Sequence, residues 1–501
     1  MSKRWTSEHA RPEGRTGAKG ARPSRRLALW AGAFWLAIWQ LAAIALGSEL
    51  LLPGPVAVLA RLVEMVPQPA FWARVGFSLV RIAGGFALGA ACGAVGAFAA
   101  ARWRVVEELL APLMALAKSV PVASITVLAL VWLRAANLAV LVVLLVVLPI
   151  VYENVLQGLR ATDGKLEEAA RLYHVPPVRR LRFLVMPTLF PYLSTALALG
   201  LSTAWKAGVA AEAIGIPAGS LGEAIYDAKV YFDTPALFAV TLAVVLASAA
   251  CTAALRGVLA WIDPLACGQA GRAGRIERTT TAEALVGNAQ ATGTPAARNA
   301  EHRLCIERLS KAFGGAPVLN GVTFTTHTGE PICLMAPSGS GKTTLLRIIA
   351  GLETADDGSA VFGDPCDREP LPRVAMSFQD DRLADQASAL GNARIGLPAE
   401  SPAWTEAPGL LQALGIGERQ LAPAGTCSGG ERRRIGLARA LLTPHEILLL
   451  DEPFNGLDAA AREHVAAIIR ERERGRIVVM ASHDERDAEL IGARIVHVGL
   501  R

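Results

Sequence analysis

At 501 residues the chain has room for two or three domains, so the size of a core does not limit it. Hydrophobic residues make up 52% and charged residues 19%, with a mean hydropathy of +0.37, values too apolar for a chain dissolved wholly in water. The formal charge of +6 gathers beside apolar runs without interleaved aromatics, which argues against nucleic acid, and the seven cysteines, lacking CxxC or paired-histidine spacing, indicate neither a disulfide framework nor a zinc site.

Residues 1–26 are polar and rich in Lys and Arg, and read as a basic cytoplasmic arm. The run from Leu27 to Leu46 is about 20 apolar residues, long enough to cross a bilayer, and further spans follow it, so it reads as an uncleaved first helix. Spans at 79–101, 111–133, 138–157, 187–209 and 235–257 bring the expected number to six. Gly84, Gly85, Gly89, Gly93 and Gly96 give the second a surface on which another helix can approach closely. Pro121 and Pro149 are expected to kink or break their helices. An inside amino terminus puts Arg102 and Arg104, then Arg171, Arg179, Arg180 and Arg182, and lastly Arg272, Arg275 and Arg278, on the cytoplasmic side. An even number of spans leaves the carboxyl half there too. Lys206 and Glu212, near the outer end of the fifth span, read either as part of a solute path, or as interfacial snorkelling or a structural ion pair.

The longest cytoplasmic loop, Leu166 to Leu193, predicts a short helix through Glu168, Ala169 and Ala170, a small-residue surface that another protein surface can approach. Pro176 and Pro177 predict a turn before the next span, which begins near Pro187. Residues 263–302 turn to Ala, Gly, Thr, Arg and Asn without apolar period and read as a flexible linker.

Beyond the linker, Pro331 to Met335 predicts a buried strand that feeds APSGSGKTTLLRIIAGL, a phosphate loop opening a helix that stops at Gly351. Gly339 and Gly341 free the backbone N–H groups to turn inward, Lys342 supplies a point charge for phosphate, and Thr343 a hydroxyl for magnesium. Ala336 stands where the pattern has its first glycine; if that position requires a positive φ, alanine costs on the order of 1 kcal/mol there. The run EILLLDEP, Glu446 to Pro453, predicts a core strand ending in Asp451, a magnesium ligand through water, and Glu452, placed to polarise an attacking water. Between them, Ser428 and Glu431 form a capping box, and Gly429 and Gly430 leave the next helix with bare N–H groups.

Taken together these motifs carry a resemblance. The loop at 166–193, SLVRIAGGFALG (78–89) and AWKAGVAAEAIG (204–215) resemble binding-protein-dependent importer permeases of the nitrate, sulfonate and taurine subgroup, over about residues 27–260. Residues 303–501 resemble an ABC ATPase, with its motifs in the family's order. The resemblance implies an all-α six-helix transmembrane domain of type I importer kind at 27–262, with an EAA-like coupling loop at 163–186 using Glu168, Ala169 and Ala170, followed by an α/β P-loop NTPase domain at 303–501. His174 stands where the loop pattern has glycine.

By the same resemblance Ser338, Gly339, Ser340, Gly341, Lys342, Thr343 and Thr344 bind ATP, together with Ser428, Gly429, Gly430 and Asp458 of the signature and D-loop. Cys427 and Glu431 replace the usual Leu and Gln of the signature. Phe313 becomes the platform for adenine, with core packing as the plainer reading. Glu452, His483 and the Q-loop Gln379 carry catalysis, and Thr343, Gln379 and Asp451 hold Mg2+. A chain of this kind works as a dimer with itself or a similar half-transporter, takes a small solute from an extracytoplasmic binding protein, and lies in a bacterial inner membrane with its ATPase inside. Two rivals stay open at this point: an exporter half-transporter and a catalytically weak regulatory subunit.

Overall fold

The structure is a computed structural model and describes residues 25–266, 302–337, 339–363 and 372–498. The basic arm up to residue 24, Arg272, Arg275, Arg278, most of the expected linker and Ser338 lie outside the described residues. The chain divides into two compact units. The first comprises residues up to Gly89 with Ser119–Val146 and Leu201–Cys251; the second comprises Ala90–Lys118, Val147–Gly200 and the stretch from Thr252 onward.

The first half is wholly helical among the described residues: α1 (Arg25–Leu46), α2 (Pro55–Met65), α3 (Pro69–Arg102), α4 (Arg104–Ser119), α5 (Val122–Ala129), α6 (Ala135–Arg160), α7 (Gly164–Leu172), α8 (Pro177–Arg180), α9 (Met186–Gly215), α10 (Leu221–Val230) and α11 (Thr234–Ala266). A π-helical stretch, Leu181–Val185, joins α8 to α9. Four segments are long and apolar enough to cross a membrane: Pro69–Arg102, Ala135–Arg160, Pro177–Gly215 and Thr234–Asp263. The third expected span, 111–133, is not a straight crossing. It is split between α4 and α5, which bend by 99°, so the pair counts at most as one broken span. The first, 27–46, contributes a shorter apolar helix, Trp30–Leu46.

The two prolines behave differently. Pro121 stands at the N-cap of α5 with an extended ψ of 133°, where its missing N–H leaves no helical bond unmade. Pro149 lies inside α6, which continues through it. In the second unit α3 packs close to this point, for a Cβ on Gly93 would stand 2.7 Å from the Leu148 carbonyl oxygen. In the first unit Gly85 meets the Val140 carbonyl oxygen equally closely, at 2.7 Å.

In the coupling loop, Asp163 caps α7 through its side chain, and the chain leaves that helix by way of His174 at φ 48°, the left-handed conformation for which glycine is the usual residue. The turn at Pro176 and Pro177 is present, but the helix resumes at Pro177, ten residues before the expected start of the span.

The second half is α/β. Strands β1 (Arg303–Phe313), β2 (Ala316–His327) and β4 (Asp357–Phe362) form an antiparallel sheet in the order β2-β1-β4. A parallel sheet in the order β5-β6-β7-β3-β8 is made by β3 (Ile332–Met335), β5 (Val374–Ser377), β6 (Ile447–Asp451), β7 (Ile477–Ser482) and β8 (Arg494–His497). Every residue of β3, β6 and β7 is buried, as continuous apolar strands covered on both faces must be. The helices are α12 (Lys342–Ile349), α13 (Ala389–Ala393), α14 (Pro402–Ala413), α15 (Gly429–Leu442), α16 (Ala459–Arg472) and α17 (Glu485–Ile491).

Candidate functional site

The phosphate loop occupies the turn from β3 into α12. Gly339 and Gly341 take φ values of 83° and 88°, open only to glycine without strain, and a Cβ on Gly341 would stand 2.7 Å from the Val318 carbonyl oxygen. Ala336 is not among the described residues with positive φ, so the departure from the glycine pattern carries no left-handed strain. Lys342 is buried, and its ammonium donates to the carbonyls of Ala336 at 2.5 Å and Pro337 at 3.1 Å. Ser340 Oγ is buried with no hydrogen-bond partner among the described residues. Thr343 and Thr344 follow Lys342 in the first turn of α12.

At the end of β6 the two acids differ. Asp451 is 2% exposed and its Oδ2 has no partner among the described residues; burial pushes its carboxyl up to about 6, against the pull of the Thr343 hydroxyl. An orphaned carboxylate oxygen beside a threonine hydroxyl is a hard-oxygen donor pair of the kind Mg2+ takes. Glu452 adopts φ 49°, a left-handed conformation that costs a non-glycine residue roughly 1 kcal/mol or more. That geometry turns its carboxylate toward three side chains. Oε2 accepts from Asn455 Nδ2 at 3.2 Å and Gln379 Nε2 at 3.5 Å, and His483 Nδ1 lies 3.5 Å from Oε1. The three residues expected to carry catalysis, Gln379, Glu452 and His483, are therefore brought together around one carboxylate.

Asn455 was not singled out from sequence; its signal is an amide side chain three residues beyond the acid. Nor was Arg433, which donates to the carbonyls of Asn455 at 2.7 Å and Gln379 at 2.8 Å, bridging the two segments that flank Glu452. Arg433 gave no sequence signal, because it is one of three consecutive arginines that α15 points in different directions.

The capping box is formed: Glu431 Oε2 accepts from the Ser428 N–H at 2.7 Å, and Ser428 Oγ accepts from the Glu431 N–H at 3.4 Å. Asp458 caps α16 through the Ala461 N–H at 2.8 Å. Among the described residues no hydrogen bond ties Ser428, Gly429, Gly430 or Asp458 to the phosphate loop of the same chain. Phe313 is 48% exposed at the end of β1, with Lys311 Nζ 5.2 Å from its ring centroid, so core packing is not its role. Cys427 is buried, and burial pushes its thiol up, which makes it a small apolar residue here.

The coupling loop reaches this machinery directly. Glu168 takes Arg347 Nη1 and Nη2 at 2.9 and 2.7 Å and Arg382 Nη1 at 2.7 Å. Arg347 belongs to α12, the helix opened by Lys342, and Arg382 follows Gln379 by three residues. The Arg347 hydrogen bond holds the Glu168 carboxyl below the ordinary carboxylate value. Ala169 and Ala170 are buried in one apolar cluster with the core of residues 303–498. Tyr173 is buried, donates its hydroxyl to the Met376 carbonyl on β5, and lies under Arg439, 4.7 Å from the ring centroid. Arg179 stacks on Trp404 at 5.0 Å and donates to the Leu397 carbonyl.

Residues 319–455 match the family described as ABC transporter, and residues 93–266 match the binding-protein-dependent transport system inner membrane component. The chain is 38% identical over 195 residues to an aliphatic sulfonates import ATP-binding protein of Paracoccus denitrificans, a match spanning 38% of this chain and 78% of that protein. The chain belongs to the ABC transporter family. A second aliphatic sulfonates import ATP-binding protein, from Xanthomonas axonopodis pv. citri, is 36% identical over 224 residues, covering 44% of this chain and 72% of that protein. An Fe(3+) ions import ATP-binding protein of Streptomyces avermitilis is 35% identical over 202 residues, 38% of this chain and 59% of that one. With both family components in one chain, this ABC transporter is an importer permease fused to its ATPase, a membrane protein and an ATP hydrolase. The match to the binding-protein-dependent component separates it from the exporter alternative.

Proposed function

We propose that this importer uses ATP hydrolysis to take up a small anion of the sulfonate class, delivered by a separate extracytoplasmic binding protein. The sulfonate relatives support the class, and the binding-protein-dependent permease component supports the delivery. Residues 27–262 act as the permease and 303–501 as the cassette, in a bacterial inner membrane with the amino terminus and cassette cytoplasmic. Two copies form the working unit. Ser428, Gly429, Gly430 and Asp458 of one copy then close on the phosphate loop of the other, in keeping with the absence, among the described residues, of hydrogen bonds between them within one chain.

In this reading the backbone of 338–344 and Lys342 hold the ATP phosphates, and Phe313 stacks on adenine. Thr343, Asp451 and Gln379 would hold Mg2+, which would supply positive charge to offset that of the phosphates. Glu452 orients the attacking water and accepts its proton, while His483 faces the γ-phosphate.

The observation that carries the proposal is the fork of Arg347 on Glu168, which joins the helix behind the phosphate loop to the permease loop. Closing the cassettes moves α12 and the Gln379 segment, and the Glu168 contacts pass that movement to α7 and α9. The test is Glu168→Gln in reconstituted vesicles with methanesulfonate as solute. Uptake is expected to fall by at least about tenfold while ATP turnover stays within about threefold. Uptake that follows ATP turnover one for one would sink the coupling role.

A further inference from the structure

Arg462 stands near the start of α16, four residues beyond the N-cap Asp458, and its side chain holds three partners. Nε donates to the Leu457 carbonyl at 3.2 Å. Nη1 donates to Asp484 Oδ2 at 3.1 Å and lies 3.5 Å from Asp487 Oδ1. Leu457 ends the loop that follows β6, while Asp484 and Asp487 lie in the loop and helix that follow β7. Because β6 and β7 are parallel neighbours, both loops leave the same end of the sheet, and one guanidinium joins them.

The segment held in this way carries His483. Ser482 and Asp484 flank the histidine, and both are fixed. Ser482 Oγ accepts from the Asp484 N–H at 3.1 Å and donates to Asp487 Oδ2 at 2.6 Å. Asp484 also accepts from the Arg486 N–H at 3.1 Å, capping α17. The imidazole has no such anchor at Glu452: its side chain is 59% exposed, and Nδ1 stands 3.5 Å from Glu452 Oε1, too far for a bond that would fix the ring. Its placement therefore depends on the backbone that carries it.

A surface ion pair is the plainer account of Arg462, and such pairs stabilise little. It does not explain why one of the acids is buried and the third partner is a carbonyl of the neighbouring loop. Asp487 is 5% exposed, and its Oδ1 accepts no hydrogen bond among the described residues. Burial pushes the Asp487 carboxyl up, against the Ser482 hydroxyl and the Arg462 charge.

We propose that Arg462 is a positioning residue for His483, locking the loop after β7 to the loop after β6 so that the imidazole keeps one placement beside the Glu452 carboxylate. This deepens the function proposed above and rests on it for the part His483 plays in hydrolysis.

The experiment uses the full-length chain in nanodiscs and follows ATP hydrolysis under single-turnover conditions, where slow variants are still measurable. Arg462→Gln is expected to lower the rate about tenfold, with nucleotide affinity within about threefold. Asp484→Asn removes the charge that Arg462 holds but keeps the helix cap, which asparagine makes equally well; it should lower the rate about threefold, and it replaces Arg462→Gln in every arm where that variant does not fold. The deciding arm is a cycle with His483→Ala. A residue acting through the imidazole has little left to do without it, so Arg462→Gln added to His483→Ala should change the rate by less than about twofold. Losses that multiply would give Arg462 a role apart from His483 and overturn the proposal, as would wild-type rates in both Arg462→Gln and Asp484→Asn. A wild-type rate in His483→Ala would instead sink the catalytic reading of His483. Histidine-selective NMR then judges Arg462 by itself: the His483 resonance, identified by its loss in His483→Ala, should broaden in Arg462→Gln, and an unchanged resonance overturns the positioning role.

Discussion

Arg347 grips both carboxylate oxygens of Glu168, at 2.9 and 2.7 Å, from the helix that Lys342 opens. A bidentate fork of this kind fixes orientation as well as distance, so the loop cannot roll on the cassette surface without breaking two charge-assisted bonds. Arg382 reaches the same carboxylate from beside Gln379, and one side chain thus joins the phosphate-loop helix to the Q-loop.

The pH dependence of this contact follows from its sign. Arg347, by hydrogen bonding first and charge after, lowers the Glu168 carboxyl relative to the unfolded chain. Its stabilisation is therefore complete above the unfolded carboxylate value, about 4.3, and is lost as pH falls through the lower folded value. The difference in Tm between the wild-type chain and Glu168→Gln should be constant from neutral pH down to about 5 and shrink below about 4. A difference that changes between pH 6 and 8 would assign the stabilisation to another group.

Glu452→Gln keeps the shape of the acid and removes its basicity. ATP turnover should fall at least about 100-fold, with bound ATP retained after gel filtration. Lys342→Ala should instead weaken nucleotide binding itself, measured by fluorescent nucleotide titration, because the point charge for the phosphates is gone.

Among the described residues Arg433 makes no hydrogen bond to Glu452 or the phosphate loop, but holds the carbonyls of Gln379 and Asn455. Arg433→Gln reaches one carbonyl at most. The amides of Gln379 and Asn455 then lose their fixed positions around Glu452, so kcat should fall about tenfold with KM within about threefold. An equal rise in KM would mean that the bridge shapes the nucleotide site as a whole.

His174 is exposed and left-handed at φ 48°. His174→Gly should relieve about 1 kcal/mol and raise the Tm of the second unit by about 2 °C, since the imidazole has no buried contacts to lose. A lower Tm would show that the ring contributes a contact of its own.

Local chemistry was readable residue by residue. Ser428 and Glu431 announce a capping box because both bonds form within four residues, and Gly341 announces a left-handed turn because glycine alone adopts one freely. The apolar run of Ile447–Asp451 reads as a buried strand, and the resemblance to ABC proteins needed only the order of such motifs along the chain. Membrane spans are less legible in composition. The run 111–133 has the composition of one crossing, yet Pro121 starts a new helix at 99° to the last, and hydropathy sums apolar residues without direction.

What the sequence by itself determined about this transporter is the chemistry of short stretches, and with it the family. Helix caps, turns and phosphate-loop glycines act over distances that the chain's own connectivity sets. Only the tertiary structure decided which arginines matter: Arg347 and Arg382 meet Glu168 across 179 and 214 residues, and Arg433 spans two loops that sequence keeps apart. The reason is physical. A guanidinium donates equally well to any carbonyl or carboxylate within reach, so its residue type carries no address, and the partner is chosen by how the helices and sheets pack.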